Sequence, residues 1–140
     1  MFRKILVGLD GSEAARHALE RALDLAALCQ AEVHLLSVEE HLPAYAATVG
    51  EAMEEERFEH NYFRRIQHEA RQRGAERGIR VTAEILPGHA AQVLARRAAE
   101  DDFDLVVLGH TGHSRLHNLF IGSTADRVVE RAPCPVLVVR

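Results

Sequence analysis

Apolar residues recur along this chain in two rhythms. Ile5-Leu6-Val7 is a short uninterrupted run, halted by Gly8-Leu9-Asp10-Gly11-Ser12, and predicts a strand followed by a turn. Ser12 is a favoured helix N-cap, and beyond it Ala15, Ala18, Leu19, Ala22, Leu25, Ala26 and Cys29 fall at three- and four-residue spacing. That period lays them on one stripe of a helix reaching about Gln30. Val33 to Val38 predicts a second strand, and Glu39 to Gly50, broken by Pro43 and Gly50, predicts a loop. The charged stretch from Glu51 to Arg77 predicts a long helix stopped by Gly78, with Phe58, Tyr62, Ile66 and Ala70 on its inward face.

Ile79 to Leu86 alternates apolar and polar side chains and predicts a third strand. Pro87-Gly88-His89 leads into a helix with Val93, Leu94 and Ala98 inward. Leu105 to Leu108, Ser123 to Arg131 and Val136 to Val139 then predict a strand, a helix and a last strand. Strict alternation of strands and helices favours an α/β fold, a parallel sheet with helices on both faces. The first, fourth and fifth strands are apolar throughout, as expected where both faces are covered.

Composition narrows the functional classes. A chain of 140 residues fits a single domain, residues 1–140, burying roughly two thirds of its unfolded surface. No apolar run approaches the ~18 residues of a membrane span, and MFRKILVGLDGS lacks a signal-peptide core, so a cytoplasmic location without membrane contact is expected. A net charge of −4 argues against nucleic-acid binding. Cys29 and Cys134 form no CxxC pair and read as buried small apolar residues.

The candidate chemistry follows the fourth strand. Gly109-His110-Thr111-Gly112 and Gly122-Ser123-Thr124 together spell G-x2-G-x9-G-[ST]. Glycines let backbone N–H groups approach an anion closely, and a helix opening at Ser123 presents further unpaired N–H groups with partial positive charge. Lys4 is the only lysine, so the P-loop pattern G-x4-G-K-[ST] is absent. In open α/β sheets ligands bind beyond the carboxyl ends of the strands, which brings the Gly8–Ser12 turn and the glycine motif together. Asp10 then has two readings, an acceptor for ribose hydroxyls or a turn former beside a helix N-terminus.

With these residues assembled, the chain resembles the universal stress protein family, in its ATP-binding branch. The likeness runs through Lys4–Ser12 (KILVGLDGS), Val33–Val38, Asp104–Gly109 (DLVVLG), the glycine motif and Ala132–Val139 (APCPVLVV). It implies a Rossmann-like five-stranded sheet of order 3-2-1-4-5, ATP as ligand and a homodimer. Asp10 would bind ribose, and the Val38 backbone would meet the adenine edge, with Gly8 and Leu9 lining the same pocket. Gly109, His110 and Gly112 would follow ribose and α-phosphate, while Gly122, Ser123 and Thr124 would hold the β- and γ-phosphates. Dimerisation has a physical rationale as well. Val136–Val139 would be an apolar edge strand, and antiparallel pairing with its own copy would close it.

Hydrolysis requires a positioned base and cations on the transferring phosphoryl group. Arg115 and Arg127 are the nearest fixed cations, and no acidic metal ligand adjoins the motif, so binding with at most slow turnover is expected. Magnesium would be held mainly by phosphates, with Ser123 as a further ligand. His110, His113, His117 and His89 invite a zinc reading, but no cysteine or carboxylate is interleaved among the three in the loop, and no dedicated metal site is expected. Other enzyme motifs (G-x-S-x-G, HExxH, GxGxxG) are absent. The expected function is a nucleotide-responsive stress or signalling module. Two other readings stand beside it, a dimeric adaptor with a vestigial nucleotide site and a slow ATPase.

Overall fold

The computed structural model describes residues 1–40, 48–111 and 123–140. Five strands, β1 (Lys4–Gly8), β2 (Glu32–Glu39), β3 (Val81–Pro87), β4 (Leu105–Gly109) and β5 (Val136–Val139), form one sheet of order β3-β2-β1-β4-β5. Every pairing is parallel. The helices α1 (Glu13–Cys29), α2 (Val49–Glu76), α3 (Ala90–Glu100) and α4 (Ser123–Arg131) make the crossovers.

Alternation along the strands divides the core in two. Ile5, Val7, Val33, Leu35, Leu105 and Val107 face α1 and α2, packing on Ala18, Leu19, Ala22, Leu23, Ala26 and Ala70. Leu6, Leu36, Val106 and Leu108 face α3 and α4, packing on Val93, Leu94, Ala98, Ala125 and Val128. The small residues in the α1 stripe let that helix lie close against β4 and β1, which brings its N-terminus to the end of the sheet where a ligand belongs.

Several expectations need correction. α2 begins at Val49, because Thr48 and Glu51 close a capping box: Thr48 Oγ1 accepts from the Glu51 N–H, and Glu51 Oε2 accepts from the Thr48 N–H. Glu39 accordingly ends β2 and Gly50 lies within α2, so the predicted loop is shorter than Glu39–Gly50, and its residues 41–47 lie outside the described residues. The inward face of α2 is also rotated from the predicted one. Phe63, Gln67, Ala70 and Gly74 are buried, Tyr62 and Ile66 are half-buried, and Phe58 is 76% exposed. β3 starts at Val81 rather than Ile79. β5 is half-buried along its whole length, the signature of an edge rather than a doubly covered strand. Cys29 and Cys134 are half-buried thiols. Burial, and after it the negative charge of Asp104, push the Cys134 thiol up, which favours its protonated form.

Candidate nucleotide site

The site assembles where β1 has β2 on one side and β4 on the other, the point at which strand order reverses. A cleft of about 450 Å³ opens there, beyond the carboxyl ends of the strands. Gly8, Leu9, Asp10, Val38, Gly109, His110, Ser123 and Thr124 all line it, so eight of the ten residues singled out in the sequence meet in one place. Gly112 and Gly122 lie outside the described residues, as do His113, Arg115 and His117. Arg127 is exposed on α4 and away from the cleft lining.

Two glycines have steric reasons to be there. A Cβ on Gly109 would stand 2.6 Å from the Ala14 carbonyl carbon and 2.8 Å from the Ala15 nitrogen, so β4 can meet the N-terminal turn of α1 only without a side chain. Gly11 holds φ +85°, in the left-handed region, and any Cβ would overlap the Tyr62 hydroxyl. α2 therefore packs directly on the β1–α1 turn.

That turn is fixed by hydrogen bonds. Asp10 Oδ1 accepts from the Ser12 N–H at 2.9 Å, and Ser12 Oγ accepts from the Ala15 N–H at 3.1 Å, capping α1. Asp10 thus does the work of a turn former while standing in the cleft wall. Below it, the Leu9 N–H donates to the Leu36 carbonyl at 3.0 Å. The Leu9 carbonyl accepts from Ser37 Oγ at 2.6 Å. Gln67 Nε2 donates to Ser37 Oγ at 3.0 Å and to the Glu84 carbonyl at 2.8 Å. Ser37 and Gln67 are both buried, so this relay ties the site turn to β2, α2 and β3 without solvent competition.

The cleft walls differ in character. On the β2 side stand Leu36, Val38 and Phe63 with the carboxylates of Glu40 and Glu59. Glu40 Oε1 accepts from the Ala90 N–H at 2.8 Å, supplying the cap that His89 does not give to α3. On the β4 side stand Gly109, His110 and Thr111 with Ser123, Thr124 and Ala125 at the N-terminus of α4. The His110 N–H donates to the Val139 carbonyl at 2.7 Å, while its Nδ1 is buried without a hydrogen-bond partner among the described residues. A buried ring nitrogen at a cleft wall is a polar group that a bound ligand can satisfy. Among the described residues, no group of three or more histidine, cysteine, aspartate or glutamate side chains converges as a metal site.

Ser37, Gln67, Glu40, Glu59 and Phe63 are not among the residues expected at the site, and Tyr62 is expected only as part of the inward face of the long helix. Ser37 had a local signal, a small polar residue inside the apolar run Leu35–Val38. Gln67 had one too, at four-residue spacing from Phe63 on the stripe that is in fact buried.

Comparison with known proteins places these features in a lineage. The model of the universal stress protein family matches residues 1–140. A universal stress protein of Methanocaldococcus jannaschii is 31% identical over 147 aligned positions, covering all of this chain and 83% of its own. The structure of the universal stress protein UspA from Lactobacillus plantarum superposes with a TM-score of 0.89 at 29% identity, covering 99% of this chain and 98% of its own. A universal stress protein solved in complex with cAMP shares the fold, with a TM-score of 0.76 at 23% identity over 99% of this chain and 96% of its own. With the sheet order, the motif residues and the full-length match in agreement, the chain belongs to the universal stress protein family.

Proposed function

We propose that this chain is an adenine-nucleotide-binding module, a dimeric switch in stress response or signalling that holds ATP with magnesium and turns it over slowly if at all. The observation that carries the reading is the polarity of the cleft. Its β2 wall is apolar and edged by carboxylates, which suits a base and hydrogen-bond-donating groups. Its β4 wall offers a glycine backbone, an unmatched histidine nitrogen and the N-terminus of α4, which suits phosphate oxygens. Two strand spacings separate these walls, about 10 Å, close to the span from base to phosphates in a nucleotide. Asp10, at the end of the intervening strand β1, is suited to ribose hydroxyls.

Gly109 supports the fit independently. Its missing side chain lets the N-terminal turn of α1 close on β4, which sets the cleft wall where the motif begins. Magnesium, when bound, would neutralise phosphate charge, held by phosphate oxygens, water and Ser123 Oγ. Stabilising the transferring phosphoryl group needs fixed cations, and no lysine or arginine lines the cleft among the described residues. The motif G-x2-G-x9-G-[ST] also lacks the P-loop lysine, which favours binding over turnover. β5 supports the dimer, as a half-buried edge strand whose apolar side chains a second copy would cover.

Titration with ATP and with adenosine tests the two-ended reading, and phosphate release under the same conditions tests the absence of fast turnover. ATP should bind at least about tenfold more tightly than adenosine, since only ATP engages the β4 wall. Equal affinity for the two, or rapid phosphate release, contradicts the assignment.

A further inference from the structure

A second groove, of about 380 Å³, lies between α2 and the outer strand β3, away from the nucleotide cleft. His60, Arg64, Gln67, His68 and Arg71 of α2 line it together with Ala83, Glu84 and Ile85 of β3. The histidines and arginines stand at i, i+4, i+8 and i+11, one exposed face of the helix. His60 is engaged by Glu39, at 2.7 Å. Arg64 and Arg71 have no ion-pair partner among the described residues. Glu84, the one carboxylate in the lining, turns its side chain to the other face of the sheet, where Arg97 Nε donates to it at 2.6 Å.

The strand beside this stripe has an open side. The Val33 N–H donates to the Arg80 carbonyl at 2.9 Å, and Val33 stands opposite Val81 in the register. In a parallel ladder that assigns the even-numbered residues of β3 to bonding with β2. The N–H and C=O groups of Val81, Ala83 and Ile85 therefore point outward from the sheet. Among the described residues no strand pairs with that side.

We infer that this edge accepts an acidic, extended polypeptide segment as a sixth strand, its carboxylates paired with Arg64 and Arg71. The spacing supports strand addition. Arg64 and Arg71 stand seven positions apart, ~10.5 Å along the helix, between the ~6.6 Å and ~13 Å separations of same-face strand side chains, a difference that long arginine side chains span. Main-chain pairing then supplies affinity and the arginines supply selectivity. The inference is independent of the nucleotide reading, because none of the arginines or edge residues lines the nucleotide cleft.

The test uses the whole protein and a fluorescein-labelled peptide of about eight residues alternating glutamate and valine, followed by fluorescence anisotropy at low salt. Its lysine–valine counterpart and a version N-methylated at alternate residues serve as comparisons. The acidic peptide should bind and the lysine peptide should not. Arg64→Glu with Arg71→Glu should weaken binding at least about tenfold. N-methylation on the pairing edge should weaken it about tenfold with the native protein, a measurement that does not depend on any variant folding. Absence of acidic-peptide binding to the native protein overturns the inference, as does undiminished binding to a folded charge-reversed variant. An N-methylated peptide that binds as well as its parent overturns strand addition. Tighter binding of a single-stranded RNA of equal charge overturns the assignment of a polypeptide.

Discussion

Gln67 Nε2 donates to Ser37 Oγ at 3.0 Å, and the same hydroxyl donates onward to the Leu9 carbonyl at 2.6 Å. A residue in the middle of α2 thereby holds the turn that carries Asp10. Both polar side chains are buried, at 6% and 1% exposure, so each group removed leaves a partner without water to replace it. Ser37→Ala should lower the unfolding free energy by about 1–3 kcal/mol, seen as an earlier urea midpoint with an unchanged slope. It should also weaken the nucleotide, because Leu9 and Asp10 lose their tether. A variant as stable as the native protein would show that the relay is dispensable.

Gly109 and Gly8 both end central strands at the cleft, yet they should respond differently to alanine. At Gly109 the new Cβ meets backbone, 2.6 Å from the Ala14 carbonyl carbon, and only a shift of α1 relieves the overlap. At Gly8 it meets Leu108 Cδ2 at 2.5 Å, the far end of a side chain that can rotate. Gly109→Ala is expected to cost about 1–3 kcal/mol and Gly8→Ala less, by thermal unfolding of the two variants side by side. The reverse order contradicts the backbone contact assigned to Gly109.

The acid limb of stability should depend on Glu84. Burial on its own pushes this carboxyl up, but hydrogen bonds from Arg97 and His34, with their charges, outweigh burial and hold it below the usual carboxylate range. A folded-state value below the unfolded one means that the folded protein binds fewer protons in this window. The contribution is therefore complete above the unfolded value of about 4.3 and is lost as pH falls through the lower folded value. Glu84→Gln should destabilise at neutral pH and should flatten the decline of stability below about pH 4.3. Urea midpoints measured across that range check the sign, and parallel acid limbs for the two proteins would contradict it.

The proposed dimer can be broken at a single backbone position. The Val106 N–H donates to the Pro135 carbonyl and the His110 N–H to the Val139 carbonyl, so β4 engages the odd-numbered residues of β5. Val136 and Val138 then turn their N–H groups outward. Val138→Pro removes one outward donor and leaves the bonds to β4 in place. Sedimentation should show dimers of the native chain and monomers of the variant. A monomeric native chain contradicts the dimer itself, and a variant that stays dimeric contradicts pairing through β5.

Much of the fold was legible because local rules and tertiary packing agree. The α1 stripe, with its small residues at three- and four-residue spacing, became the helix face packed on β1 and β4. Gly109 was visible as a glycine directly after an apolar strand, and the structure supplies its reason in the backbone of Ala14 and Ala15. The strand order rested on family likeness, since periodicity cannot say which strands are neighbours. The inward face of α2 is rotated from the predicted stripe, which keeps Ala70 and leaves Tyr62 and Ile66 half-buried. A long charged helix holds several apolar spacings, and Phe58, Tyr62, Ile66, Ala70 competed with Phe63, Gln67, Ala70, Gly74. The second set was built on a glutamine and a glycine, which packing against Val81 and hydrogen bonding to Ser37 make interior residues. The contribution of α2 to the cleft and the bond from Glu40 to the start of α3 are tertiary, joining positions far apart in the chain, and no local pattern announces them.

The central claim is that the cleft between β2, β1 and β4 binds an adenine nucleotide, and calorimetric titration with Mg-ATP tests it most directly. The native chain, Asp10→Asn and His110→Ala are compared under one set of conditions. Micromolar or tighter binding by the native protein is expected, about tenfold weaker in each variant as a ribose acceptor or a phosphate partner is lost. No heat from the native chain and no displacement by any adenine nucleotide contradicts the account, as does affinity unchanged in both folded variants.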